Sequence, residues 1–150
     1  MKLLSVLCCS GIALTCNSAM AYQCSVSATP LSFGMVEGRT AQVARSTATL
    51  TVFCQSDVAT TVSYQILSDT FSQNERTMTG GNGAANYQLY TSATYQQVWG
   101  ETASNAILDS YTLAANTSLT RVYTVYARML PGMRVGPGEY VAVSDVRLVY

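Results

Sequence analysis

The chain has 150 residues, eight of them basic and eight acidic, with no histidine and nearly half its residues hydrophobic. The missing histidine removes the commonest general base and metal ligand. A balanced charge, spread singly along the chain, gives no electrostatic case for nucleic acid or anionic lipid.

The start reads as a secretory signal peptide, residues 1–21. Met1-Lys2 is a short positive beginning, Leu3 to Leu14 is mostly apolar, and Ala19-Met20-Ala21 is a small-x-small site with cleavage expected after Ala21. The apolar run is shorter than the roughly 20 residues needed to cross a bilayer. Cys9 and Cys16 follow Cys8 and Thr15, where lipidation signals usually carry Gly, Ala or Ser, so a lipoprotein does not fit. Cleavage leaves residues 22–150 as a single domain. The only lysine, Lys2, leaves with the leader, so the remaining net charge is −1, from seven arginines and eight carboxylates.

Of five cysteines, Cys24 and Cys54 remain. Two cysteines in an exported domain predict one disulfide. It closes a loop of about 30 residues, worth roughly 3.5–4 kcal/mol in the chain-entropy model.

Taken in order, the chain shows short runs rich in Val, Thr and Tyr, separated by turn residues, and no convincing amphipathic helix. Tyr22 to Ala28 alternates, with Cys24, Val26 and Ala28 on one face. Pro30 ends it, and Leu31 to Gly34 reads as a short strand or bulge. Glu37-Gly38-Arg39 is a turn. Ala48 to Cys54 alternates strongly, with Ala48, Leu50, Val52 and Cys54 on one face. Both cysteines thus fall in apolar columns. Gln55 to Asp57 turns the chain into a strand over Val62–Leu67, with Val62, Tyr64 and Ile66 inward.

Ser68 to Ala85 is polar and irregular. Asn86 to Thr91 is a strand, Val98-Trp99-Gly100 a short one, and Thr102 to Asn116 has no clear pattern. Leu119 to Leu130 predicts a long strand with Tyr123, Val125, Ala127 and Met129 as its apolar column. Pro131-Gly132 and Gly136-Pro137-Gly138 bracket a loop. Tyr140 to Tyr150 predicts one half-buried strand, with Tyr140, Ala142, Ser144, Val146, Leu148 and Tyr150 on one face. The spacing favours an all-β, immunoglobulin-like antiparallel sandwich, with a small closed barrel as the alternative.

Catalytic chemistry is poorly supplied. No thiolate remains once the disulfide forms, and no serine sits in a nucleophile elbow or has a histidine to activate it. Glu75 and Glu101 could meet as a glycosidase pair but read as loop charges. Thr79-Gly80-Gly81-Asn82-Gly83 lacks the following Lys-Ser/Thr of a phosphate loop. Asn116-Thr117-Ser118 matches a glycosylation sequon at the level of chance. Trp99 could stack on a sugar, although a lone tryptophan in a β protein is more often core.

Several segments together resemble the spore coat protein U domain, which builds subunits of archaic chaperone–usher pili. They are Cys24-Ser25-Val26-Ser27-Ala28-Thr29, Phe33-Gly34, Cys54, Arg76-Thr77-Met78, Tyr87-Gln88-Leu89-Tyr90-Thr91, Val98-Trp99-Gly100, Pro131-Gly132, Gly138-Glu139-Tyr140 and Val146-Arg147-Leu148-Val149-Tyr150.

The resemblance implies an incomplete immunoglobulin-like sandwich lacking its final strand. A periplasmic chaperone, and later a neighbouring pilus subunit, fills the gap by strand addition, with an outer-membrane usher guiding assembly. It implies an exported, non-enzymatic structural protein without cofactors, at the cell surface, serving adhesion or biofilm formation. Tyr140, Ala142, Val146, Leu148 and Tyr150 are then expected to edge the acceptor groove. Only Tyr22 and Gln23 would precede Cys24 after cleavage, too few to lend a strand, which points to a non-donating tip or accessory subunit. A secreted adhesin or lectin-like module, and a coat protein outside any fibre, are the alternatives.

Overall fold

The computed structural model describes residues 21–35, 43–69, 76–80, 83–129, 136 and 138–150. The leader up to Met20, the Glu37-Gly38-Arg39 turn, Glu75 and Pro131-Gly132 lie outside these residues. Apart from a short 3-10 turn at Ala103–Asn105, the regular structure described is strand. The strands are β1 (Gln23–Ala28), β2 (Arg45–Ser56), β3 (Thr60–Ser68), β4 (Arg76–Gly80), β5 (Gly83–Tyr90), β6 (Ile107–Leu113), β7 (Thr117–Met129), β8 (Tyr140–Val141) and β9 (Val146–Val149).

They form two antiparallel sheets, ordered β1-β2-β7-β5-β4-β8 and β6-β3-β9. In the larger sheet β2 and β7 pair along their whole length, from Arg45 opposite Arg128 to Ser56 opposite Thr117. Alternation turns Leu50, Val52, Val125 and Ala127 inward, and Val62 and Ile66 meet them from β3. All six are 0–1 % exposed. Burial of each Leu, Val or Ile among them contributes up to about 1.5–3 kcal/mol, and Ala127 less. This is the all-β sandwich that the alternation predicts.

Three departures have local causes. The stretch Ser68–Ala85, expected to be irregular, contains β4 and the start of β5, paired from Arg76 opposite Tyr87 to Gly80 opposite Gly83. Its polar residues hid a strand whose one fully buried side chain is an arginine. Gly80 is needed there, because a Cβ would lie 2.2 Å from the Glu139 carbonyl oxygen.

Residues 102–116 contain β6, whose inward column Ile107, Asp109, Tyr111 and Leu113 is interrupted by a carboxylate. That inward Asp erased the hydrophobic period.

The single strand expected over Tyr140–Tyr150 is two. β8 pairs with β4 in the larger sheet and β9 with β3 in the smaller one, so the chain changes sheets between Val141 and Val146. Ser144, a polar residue in the apolar column, marks the crossing. Tyr140 and Ala142 therefore do not share a sheet edge with Val146 and Leu148.

Candidate functional site

β1 and β9 are the outer strands of their sheets and lie side by side, with no ladder between them among the described residues. β1 is tied to β2 by the Cys24–Cys54 disulfide. The two cysteines are direct cross-strand partners with Cα atoms 4.1 Å apart. Apolar alternation on both strands put them in facing columns, so the bridge staples an edge strand to the sheet's interior.

The inward side chains of these outer strands are incompletely covered. Cys24 and Val26 on β1, and Val146 and Leu148 on β9, are half-buried against the core. Val149 and Tyr150 are 48 % and 39 % exposed. Along β3 the ladder to β9 runs from Ser68 only to Gln65. Beyond it the Tyr22 hydroxyl donates to the Ser63 carbonyl (2.9 Å) and accepts from the Ser63 N–H (3.2 Å). The Tyr22 ring sits 5.6 Å from that of Tyr150.

The opposite flank, at β6, carries a cluster of polar groups. Tyr123 donates to Asp109 and shares a 2.6 Å hydrogen bond with Tyr64. Arg121 lies 3.6 Å from the same carboxylate and 5.1 Å from the Tyr111 ring. Burial pushes the Tyr64 phenol up to about 12. Tyr123 is raised further, by burial and then by its bond to Asp109, and Tyr111 is raised by burial. The cluster is neutral phenol over the whole physiological range.

A third feature fixes the crossing between β8 and β9. The buried Arg76 guanidinium bonds Asp69 (3.0 Å), Ser144 Oγ (3.0 Å) and Ser68 Oγ. Trp99, 3 % exposed, donates its indole N–H to the Ile66 carbonyl at 2.9 Å, so it is core and not a sugar platform. Of the proposed carboxylate pair only Glu101 falls among the described residues. Asn116 sits in the β6–β7 turn with φ +55°.

Alternation located the cysteines, Val146 and Leu148. It could not find Tyr22, Arg76 or Asp109, whose roles rest on partners 41, 68 and 14 residues away. The residue-type clue for Arg76 and Asp109 is a charge set among inward positions.

The chain is a disulfide-stapled, all-β sandwich in which two neighbouring outer strands are each paired on one side only among the described residues. Among its described residues no helix is long and apolar enough to cross a membrane. The Spore Coat Protein U domain profile matches residues 12–146, most of the chain, and the protein belongs to that family of surface-associated structural coat and pilus domains. No curated protein matches it.

Proposed function

We propose that this protein is a structural subunit of a bacterial surface pilus, assembled by the chaperone–usher pathway through donor-strand complementation and serving adhesion or biofilm formation. The observation that carries this reading is the half-buried apolar row Val26, Val146 and Leu148 on two adjacent strands with no ladder between them. An added strand would supply backbone partners to an open edge and cover that row. The β6 flank is bridged instead by polar side chains, Tyr64 to Tyr123 and Tyr123 to Asp109.

On this reading Val146, Leu148 and Tyr150 edge the accepting flank, while Tyr140 lies in β8 of the other sheet and Ala142 in the connection just beyond it. Export is by the leader, followed by periplasmic chaperone capture, usher passage and joining to neighbouring subunits. Cleavage after Ala21 would leave a subunit that accepts a strand without lending one, suited to a tip or accessory position. Mass spectrometry of the exported N-terminus checks that step.

Expression with and without a pilus chaperone tests the function. The expected result is a one-to-one soluble periplasmic complex and poor solubility alone. A donor peptide from another subunit should stabilise the protein by about 2.7 kcal/mol at one hundred times its Kd. A stable lone monomer indifferent to chaperone and peptide would sink the reading.

A further inference from the structure

The outer face of the larger sheet carries a second cluster, away from the β1–β9 flank. Arg45 and Arg128 are direct cross-strand partners on β2 and β7. Like charges placed opposite each other are destabilising, and neither arginine forms an ion pair among the described residues. Both lie on one aromatic ring: Arg45 is 5.1 Å and Arg128 5.6 Å from the centre of Tyr95. Arg128 also lies 5.0 Å over Tyr90 and donates its Nε–H to the Tyr90 hydroxyl at 2.9 Å.

Tyr95 reaches this place from the loop after β5 with φ +58°, a left-handed conformation unusual for a bulky residue. Its edge packs on Tyr90 and Tyr126. Tyr90 beneath the loop is 4 % exposed, and Gln88 on the same face is 6 % exposed.

Stacking on a ring engages the flat face of a guanidinium and leaves its N–H edge available. Among the described residues Arg45, exposed, has no hydrogen bond to its guanidinium, and Arg128 bonds only through Nε. Two such forks, borne by directly paired residues of β2 and β7, supply the donors that an oxyanion's oxygens accept from.

Tyr126 links the cluster to an open groove of about 470 Å³, lined also by Thr91, Gln97, Ile107, Val122 and Thr124. That volume falls in the range of small-ligand sites. Hydroxyl and amide groups alternate there with aliphatic and aromatic surface, the pairing that suits a sugar ring with its polar rim and C–H face.

We propose that this face binds an acidic saccharide, its sugar ring in the Thr91–Thr124–Tyr126 groove and its oxyanion on the Arg45–Arg128 pair. Carboxylated and sulfated sugars share the required chemistry. The site is distinct from the strand-accepting flank, and it stands whether or not the protein enters a fibre.

The test uses the exported protein, purified from the cell envelope with any chaperone that accompanies it. Oligogalacturonate, heparin oligosaccharide and neutral dextran oligomer serve as calorimetric probes. At least one anionic probe should bind, more weakly as salt rises, and the neutral oligomer should not. Arg45→Gln, at an exposed position, should weaken binding about tenfold while the protein melts as before. Arg45→Lys should also weaken it, since an ammonium cannot supply the stacked fork. The proposal is overturned if neither anionic probe binds, if the neutral oligomer binds equally, or if either variant binds as the parent does. Preference between the two anionic probes separates carboxylate from sulfate.

Discussion

The Tyr22 phenol satisfies both backbone groups of Ser63, donating to its carbonyl and accepting from its N–H. One side-chain oxygen thus does what a residue of a neighbouring strand would do, just past the point where β9 stops pairing with β3. A strand added along this edge must displace it. If this edge accepts a strand as proposed, Tyr22→Phe should lower the stability of the free protein by about 1 kcal/mol and raise its affinity for a donor peptide. Denaturant melts with and without peptide measure both effects. A loss of stability with unchanged or weaker peptide binding would show that Tyr22 is only a structural contact.

The disulfide acts on the same flank. Cys24 and Cys54 hold an edge strand that, among the described residues, has β2 as its one ladder partner. Replacing both by Ala should cost about 2–5 kcal/mol, seen as an earlier denaturation midpoint. Hydrogen exchange should rise first along Gln23–Ala28, because β1 loses its staple while β2 keeps β7.

The long central strands were legible in the sequence because their inward columns are unbroken: Leu50, Val52 and Cys54 on β2, and Val125, Ala127 and Met129 on β7. The strands that escaped notice bury a charge. Arg76 in β4 and Asp109 in β6 read as solvent-facing until the partners that neutralise them are placed. The final segment misled for a different reason. Period two persists through Tyr140–Tyr150, but alternation reports which side faces the core and not which sheet a strand joins. Tyr22 carried no local signal, since its role depends on Ser63 and Tyr150 arriving beside it.

The tyrosine cluster predicts alkaline sensitivity. Tyr64 is raised from 10.0 to about 12, first by burial, and Tyr111 and Tyr123 are raised as well, again first by burial. The folded state therefore holds protons that the unfolded chain releases. The associated stability is complete below pH 10 and is lost as pH rises toward and past 12. Phenolate absorbance should show these tyrosines ionising late, together with unfolding. Tyr123→Phe should remove part of this pH dependence. A titration in which all ten tyrosines of the chain ionise together near pH 10 while the fold persists would contradict it.

Arg76 joins β4 to the end of β3 and to the segment between β8 and β9. Arg76→Met keeps length and apolar packing but leaves Ser68, Ser144 and Asp69 without their shared donor. Because the Asp69 side chain is 30 % exposed, water relieves part of the penalty, and a loss of about 2–4 kcal/mol is expected from denaturant melts. The Asp69→Asn, Arg76→Met double variant should recover part of it.

Leu148 tests the proposed accepting flank most directly. It pairs with Ile66 on β3, lies on the outermost strand of the smaller sheet, and is half-buried against the core. Its neighbours Arg147 and Val149 face the other way. Leu148→Asp places a charge on the surface that an added strand would cover, where an unpaired carboxylate is costly to desolvate. Val149→Asp, one residue on and already exposed, places the same charge on the opposite face. Chaperone co-purification should fail for Leu148→Asp and survive for Val149→Asp. Equal capture of both variants would mean that the accepting surface is not the inward face of β9. Failure of both, with normal export of each, would place capture on the strand's edge without regard to face.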